Sequence, residues 1–528
     1  MVDAGGEPLW ELPGEPVADG PHTVGRWLAD RAATSPGRIA SDDRGVVITY
    51  RDLEARALEL SLGLRRAGYG PGDRIATVSG NSIDHVVAFF ACAKAGVAFA
   101  PLSWRLTARE LSEALVRADA ALLLVEDEYA GLAGDARRRT PGAPPVAELG
   151  TTGIEAAVPA RAGRPAPRRG VRDDDPLLVI FTSGSEAAPK GVVLTHANCF
   201  WNNLALAGAL QLTPDDVVLA MLPQFHVAAW NVQPLLAWWV GATVVLERSF
   251  QPTRVLQLLQ ERRVTAMMGV PTQYRLLADD PRFATADLSR LRIALVGGAT
   301  MPPALFEEWS ARGVPLTQGY GLTEAAPNVL VLPPDEAADH PGAVGRPYPH
   351  VDVCLVDPES GLALEGAGVG ELWIRGPSVF AGYLGDPDAT ARATSGEWLR
   401  SGDLAARDDG GVYRIVDRLK DIYISGGENV APAEVEAALC LHPLVREAAV
   451  VAVPDRVWGE RGVAFAAPVE GAVLSEDEVL AHARTVLAAF KVPVRVEIVD
   501  ALPRSTIEKL ARPRLRERAL ALVKGESA

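Results

Sequence analysis

Leu177-Leu178-Val179-Ile180-Phe181-Thr182-Ser183-Gly184-Ser185-Glu186-Ala187-Ala188-Pro189-Lys190-Gly191 is the stretch from which the fold of this 528-residue chain can be read outward. An apolar run ends in hydroxyls, glycine and a lysine. A polyphosphate loop at a strand end needs these residue types: backbone N–H groups approach the oxygens where no side chain intrudes, hydroxyls donate, and the lysine supplies charge. The spacing is not that of a GxxxxGK[ST] loop, because Pro189 stands where that motif requires glycine. A Ser/Gly/Lys loop on its own is more often an ordinary turn, so its neighbours decide.

On the N-terminal side, helix and strand signals alternate. Arg51 to Ala67 carries Leu53, Leu60 and Leu64 at helical spacing and stops at Gly68 and Gly70. Arg74 to Ser79 predicts a strand, Ser82 to Ala95 a helix, and Val97 to Pro101 another strand. Thr107 and Glu110 predict a capping box, and Ala121 to Val125 a buried strand. From Gly131 to Asp175 the chain is rich in Ala, Arg, Pro and Gly, which predicts an irregular surface excursion. On the C-terminal side the alternation runs on to Val331, and short alternating strands then fill Gly342 to Ile415. After Asp417 about 110 residues carry their own helix and strand signals, enough for a separate domain. The pattern predicts an α/β protein. A large N-terminal domain (1–417) has layered α/β subdomains and a small β-rich subdomain, and a smaller α+β domain (418–528) follows.

Composition narrows the function. Lys plus Arg total 52 against 67 Asp plus Glu, a formal charge of -15, which argues against nucleic acid or anionic lipid as the main partner. No apolar stretch reaches the roughly 20 residues of a membrane span, and Met1 to Glu7 shows no basic segment leading into an apolar one, so a cytoplasmic location is expected. The four cysteines (Cys92, Cys199, Cys354, Cys440) are scattered with no CxxC pair, as reduced thiols would be.

Downstream of the loop come Gly297-Gly298-Ala299 and Gln318-Gly319-Tyr320-Gly321-Leu322-Thr323-Glu324. Ser401-Gly402-Asp403, Asp417-Arg418-Leu419-Lys420-Asp421, Ser425-Gly426-Gly427-Glu428-Asn429 and Pro503-Arg504-Ser505-Thr506-Ile507-Glu508-Lys509 follow. In this order and at these separations the set resembles the adenylate-forming superfamily, in particular its fatty-acyl and aryl-CoA synthetases. The resemblance spans about Thr23 to Arg516.

That resemblance implies roles. Thr182, Ser183, Gly184, Ser185 and Lys190 would hold the β- and γ-phosphates of ATP. Tyr320, with Gly319 before it, would lie against the adenine, and Gly298 and Ala299 would lie on its other side. Thr323 would bond the α-phosphate, and Glu324 would help hold Mg²⁺. Asp403 would accept the ribose hydroxyls, with Arg418 beside it, and Lys509 would stabilise charge as the acyl-adenylate forms. His226, in Phe225-His226-Val227-Ala228-Ala229, is implied at the catalytic centre as a gate to the acyl pocket. A proton-accepting role is less apt, since the substrate carboxylate is already a nucleophile. Trp201, His226, Trp230, Asn231, Val296, Gly297 and Leu322 are candidate pocket walls. Lys420 would be the pivot of a mobile C-terminal domain, and Ser425, Gly426 and Gly427 would line a channel for coenzyme A.

The implied activity is ATP-dependent adenylation of a carboxylic acid, fatty or aryl, with transfer to coenzyme A. The alternative keeps adenylation and changes the partner: a carrier-protein thiol, an amine, or nitrite. A monomer or a homodimer is expected. The chain departs from the superfamily's pattern in three places: Glu186-Ala187 replace its usual Thr-Gly, Glu508 replaces the glycine before the lysine, and Ala431 replaces an aromatic residue.

Overall fold

The computed structural model describes residues 20–150, 158–167, 169–182, 189–419, 421–425, 428–455, 458–504 and 510–525. Two compact units form, and neither follows chain order. One comprises Met1–Met268, Thr323–Pro327 and Pro377–Thr390; the other comprises Gly269–Leu322, Asn328–Gly376 and Ala391–Ala528.

The first unit is built on two largely parallel sheets. One runs in the order Gly382–Tyr383, Lys190–Thr195, Pro176–Thr182, Ala98–Pro101, Arg74–Val78, Leu122–Glu126 and Val146–Leu149. Its last five strands are parallel, and Lys190–Thr195 returns antiparallel to Pro176–Thr182. In the other, Ala266–Gly269, Val217–Ala220, Thr243–Leu246 and Ile39–Asp43 are parallel, and antiparallel Val46–Thr49 closes the edge.

The helix Ile83–Ala95 is buried at every residue except Asp84. A helix covered all round must be apolar all round, which explains why this part of the sequence is so hydrophobic without being a membrane span. It starts at Ser82, whose side chain accepts from the His85 N–H, and stops at Gly96 with φ +73°. A Cβ at Gly96 would come within 3.0 Å of Pro71 Cγ. The predicted capping box at Thr107 and Glu110 is present.

The stretch expected to be irregular is more ordered than its composition predicts. Ala130–Arg139 is a helix, and Val146–Leu149 is the edge strand of the seven-stranded sheet. The helix buries only Ala133 and Ala136, and the strand alternates exposed and buried over four residues. Stripes that narrow leave little periodicity to detect.

In the second unit, Ile293–Val296 and Leu316–Tyr320 are parallel, followed by antiparallel Leu330–Leu332 and Arg346–Pro347. The β-rich part is an antiparallel sheet of Asp352–Val356, Gly368–Arg375 and Trp398–Arg407, with Thr394–Ser395 and Tyr413–Arg418 both on Trp398–Arg407. The C-terminal part sandwiches a sheet between helices. Along Gly459–Pro468, Ala464 and Ala466 face Val435, Leu439 and Val479, while Val463, Phe465 and Ala467 face Leu515 and Ala519. A strand buried on both faces reads as a continuous apolar run. No helix among the described residues is long and apolar enough to cross a membrane.

Candidate active site

In the second unit, three side chains far apart in sequence meet. Tyr320 ends the strand Leu316–Tyr320, and its hydroxyl donates to Asp403 Oδ2 at 2.6 Å. Arg418 Nε lies 2.8 Å from Asp403 Oδ1, and the two residues are register partners across antiparallel strands. The Asp403 side chain is 4% exposed and that of Arg418 50%. Asp403 is thus a strand residue. Burial and the adjacent Asp403 charge push the Tyr320 phenol well above its ordinary value, so it stays protonated as a donor.

The glycine-rich loop after Ile293–Val296 sits next to Leu316–Tyr320. Val296 and Gly297 are buried, Gly298 and Ala299 are exposed, and Gly298 has φ +79°. Gly297 N–H donates to Gly269 O at 3.2 Å. The loop is tied down by Gln318: its Oε1 accepts from Met301 N at 3.1 Å, and its Nε2 reaches Val296 O and Ala299 O at 3.3 Å. Gln318 had no role in the sequence reasoning, because a neutral amide carries no chemical signature. Gly319 and Leu322 are half-buried on this side.

In the first unit, Thr182 and Lys190 are the last register pair of their two antiparallel strands. Lys190 Nζ lies 5.3 Å from the ring centroid of Tyr383, and the Tyr383 hydroxyl donates to Glu324 Oε1 at 2.8 Å. Tyr383 therefore links the lysine to the acidic residue beside Thr323, a second contribution absent from the motif. Glu324 is held through its own carbonyl, which accepts from Phe380 N–H at 2.8 Å.

The acyl-side candidates separate into two groups. His226 and Trp201 are half-buried, with His226 against Phe225 at 4.5 Å and Phe225 against Trp104 at 6.2 Å between ring centroids. Trp230, expected as a pocket wall, is a core residue. It is 0% exposed, stacks on Phe89 at 4.5 Å and donates through Nε1 to Gln224 O at 2.6 Å. Packed on all sides, it has no surface left for a substrate. Asn231 is also buried, and its Nδ2 donates to Ala326 O at 3.0 Å, which ties it to the Thr323–Ala325 turn.

Behind Phe225 and His226 lies a buried polar chain. His85 contacts Thr77 Oγ1 through Nε2 at 2.8 Å and Gln224 Oε1 through Nδ1 at 2.9 Å, and Gln224 N–H donates to Asn81 Oδ1 at 3.1 Å. Burial lowers the His85 imidazole from 6.5 to about 4. Between those values the unfolded chain takes a proton at this position and the folded chain does not. The native protein should therefore lose stability relative to His85→Gln as pH falls through that window. Melting curves of the two proteins against pH check this, and a constant difference in Tm would refute it.

Several expected residues lie outside the described ones: Ser183, Gly184, Ser185, Glu186, Ala187, Lys420, Gly426, Gly427, Glu508 and Lys509. Ser425 is described, at the end of Tyr423–Ser425, and is fully buried.

The sequence pattern of the AMP-binding enzymes matches residues 28–384, and that of the AMP-binding enzyme C-terminal domain matches residues 434–509. Feruloyl-CoA synthase from Amycolatopsis sp is 40% identical over 94% of this chain and 99% of its own length. ATP-bound MatB from Rhodopseudomonas palustris superposes with a TM-score of 0.86 at 31% identity, covering 95% of this chain and 99% of that one. The amide bond synthetase McbA from Marinactinospora thermotolerans gives 0.85 at 32% identity, covering 94% and 99%. A match that runs through both parts of the chain, together with the clustering of Tyr320, Asp403 and Arg418, means that the protein belongs to the AMP-binding, adenylate-forming enzymes.

Proposed function

We propose that the chain is an AMP-forming acid–CoA ligase whose acid is aromatic. The carboxylate of the acid attacks the α-phosphorus of ATP and pyrophosphate leaves; the thiol of coenzyme A then attacks the acyl carbonyl, AMP departs, and the thiol proton goes to solvent. The observation that carries this reading is the buried Asp403 carboxylate, flanked by the Tyr320 phenol and the Arg418 guanidinium. Such a group recognises a pair of hydroxyls, and its register partner Arg418 ends the strand that leads to the proposed pivot. The aromatic acid is supported by the feruloyl-CoA synthase relative and by the rings of Phe225, His226 and Trp104.

In this scheme Asp403 accepts the ribose hydroxyls, with Arg418 alongside. Tyr320 packs on the adenine, opposite Gly298 and Ala299. Thr182 to Lys190 take the outer phosphates, and Thr323 takes the α-phosphate. His226 gates the acid. Among the described residues no group of three or more His, Cys, Asp or Glu side chains could cage a metal ion. A magnesium ion fits here in another way, held by Glu324 together with the phosphates of ATP. When bound, it would neutralise charge on the departing pyrophosphate. The domain boundary is placed at 417/418, with Lys420 as pivot and Ser425, Gly426 and Gly427 on the path of the thiol.

Asp403→Ala removes the ribose acceptor. It should raise the KM for ATP by about 10- to 100-fold, because hydrogen bonds to a charged group are at stake, while the circular dichroism spectrum is unchanged. An unaltered KM with a lowered Tm would point to a purely structural role.

A second reading exchanges coenzyme A for an amine acceptor, and is favoured by the likeness to an amide bond synthetase. A pyrophosphate-release screen over aromatic, fatty and amino acids, with and without coenzyme A, separates the two. Thioester formation from hydroxycinnamates supports the proposal. Turnover that ignores coenzyme A and follows an added amine overturns it.

A further inference from the structure

Glu371 is a buried carboxylate that none of these roles uses. It is 4% exposed and lies within the strand Gly368–Arg375. Opposite it the neighbouring strand slips in register. Glu371 pairs with Leu404 and Trp373 with Arg400, so Leu372 alone faces Ser401, Gly402 and Asp403. These three residues bulge from the ladder on one side, while Asp403 keeps its pairing with Arg418 on the other. Bulges re-aim side chains, and they release backbone N–H groups that need new partners.

The released groups are satisfied in specific ways. Gly402 N–H donates to Glu371 Oε1 at 3.2 Å, and Asp403 N–H donates to Ser401 Oγ at 3.0 Å. Gly402 O accepts from Leu419 N–H at 3.0 Å, and Gly402 has φ +69°, which glycine adopts without strain. The other Glu371 oxygen, Oε2, accepts from Trp373 Nε1 at 2.8 Å and lies 3.6 Å from Arg400 Nη2. Glu371 is thereby fixed in place, with one oxygen committed to the apex of the bulge.

We propose that Glu371 is a positioning residue for the ribose-binding carboxylate: it takes the Gly402 N–H, holds the bulge, and so sets where Asp403 presents its oxygens. The proposal rests on the assignment of Asp403 to the ribose. Loss of this acceptor leaves a half-buried N–H without its protein partner, so the bulge rearranges and Asp403 moves with it.

The test compares kcat/KM for pyrophosphate release with ATP, 2′-deoxy-ATP and 3′-deoxy-ATP. The native enzyme should prefer ATP over each deoxy analogue by about tenfold or more, the value of a hydrogen bond to a charged acceptor. Glu371→Ala removes the acceptor, and Glu371→Asp withdraws it by one methylene while keeping the charge. Both should bring the preference to within about threefold of unity, mainly through weaker use of ATP. Glu371→Gln keeps one acceptor for the Gly402 N–H but turns its amide NH2 toward the Trp373 Nε1–H donor, so it should restore only part of the preference. A residue needed only for stability would lower activity with all three nucleotides alike and leave the ratio unchanged. That result in Glu371→Asp overturns the proposal, even if Glu371→Ala does not fold. A native enzyme that shows no preference would instead overturn the ribose assignment of Asp403, and this inference with it.

Discussion

Lys509→Ala is expected to lower acyl-adenylate formation by on the order of 10² or more, while leaving thioester formation from pre-made acyl-adenylate close to the native rate. The magnitude follows from single preorganised charge donors aimed at a transition state, whose removal costs about 10² to 10³ in kcat. The asymmetry follows from the chemistry. Charge develops on the carboxylate and α-phosphate oxygens in the first half-reaction, and a lysine beside them is needed there. In the second half-reaction the thiol must approach the same carbonyl, and on this assignment the lysine would be in the way. Pyrophosphate exchange reports the first step, and a synthetic adenylate with coenzyme A reports the second. Equal losses in both would mean that Lys509 acts in both arrangements of the protein, and the assignment would fall. Residue 509 is also where the match to the C-terminal domain of AMP-binding enzymes ends.

Lys420→Pro should separate the half-reactions in the opposite sense. A pivot absorbs a large backbone rotation between two arrangements, and proline fixes φ near −65°. The substitution should leave pyrophosphate release largely intact and reduce transfer to coenzyme A by about 10² or more, the scale on which gating mutations stop a committed step. The flanking contacts should survive: Leu419 N–H to Gly402 O, and Asp421 N–H to Arg418 O at 2.9 Å, both use other residues. The same mutant tests the amine-acceptor reading, since an acceptor that attacks in the adenylating arrangement does not need the rotation. Native rates of thioester formation in Lys420→Pro would end the rotation account.

Much of the fold was legible because local signals agree with tertiary structure. Ser82, Thr107 and Glu110 cap helices where their spacing predicts, and the apolar run after Val86 becomes a buried helix and a buried strand. Asp403, Arg418 and Tyr320 were each visible as chemistry in a motif. That they touch depends on strand register, which no short motif encodes. Gln318, Tyr383, Gln224 and Glu371 were illegible for a related reason. Each acts through one or two hydrogen bonds to backbone or to another side chain, and such partners are defined only once the sheet is formed. Trp230 was misplaced because a tryptophan beside a candidate gate looks the same in sequence whether it lines a pocket or fills the core behind it.

Arg418 closes the strand Tyr413–Arg418, its side chain is joined to Asp403, and the proposed pivot is two residues further along. On the proposed assignments, the bearing of the rotation would be bolted to the nucleotide site. Occupancy by ATP or AMP and the orientation of the final domain then share one coupling free energy, which must be the same measured from either end. A substitution at 420 that biases the domain should appear as an altered nucleotide Kd, and a nucleotide that fits Asp403 poorly should shift the domain equilibrium to the same extent. AMP, still seated after pyrophosphate has gone, would in that case be an effector of the second half-reaction as well as its leaving group.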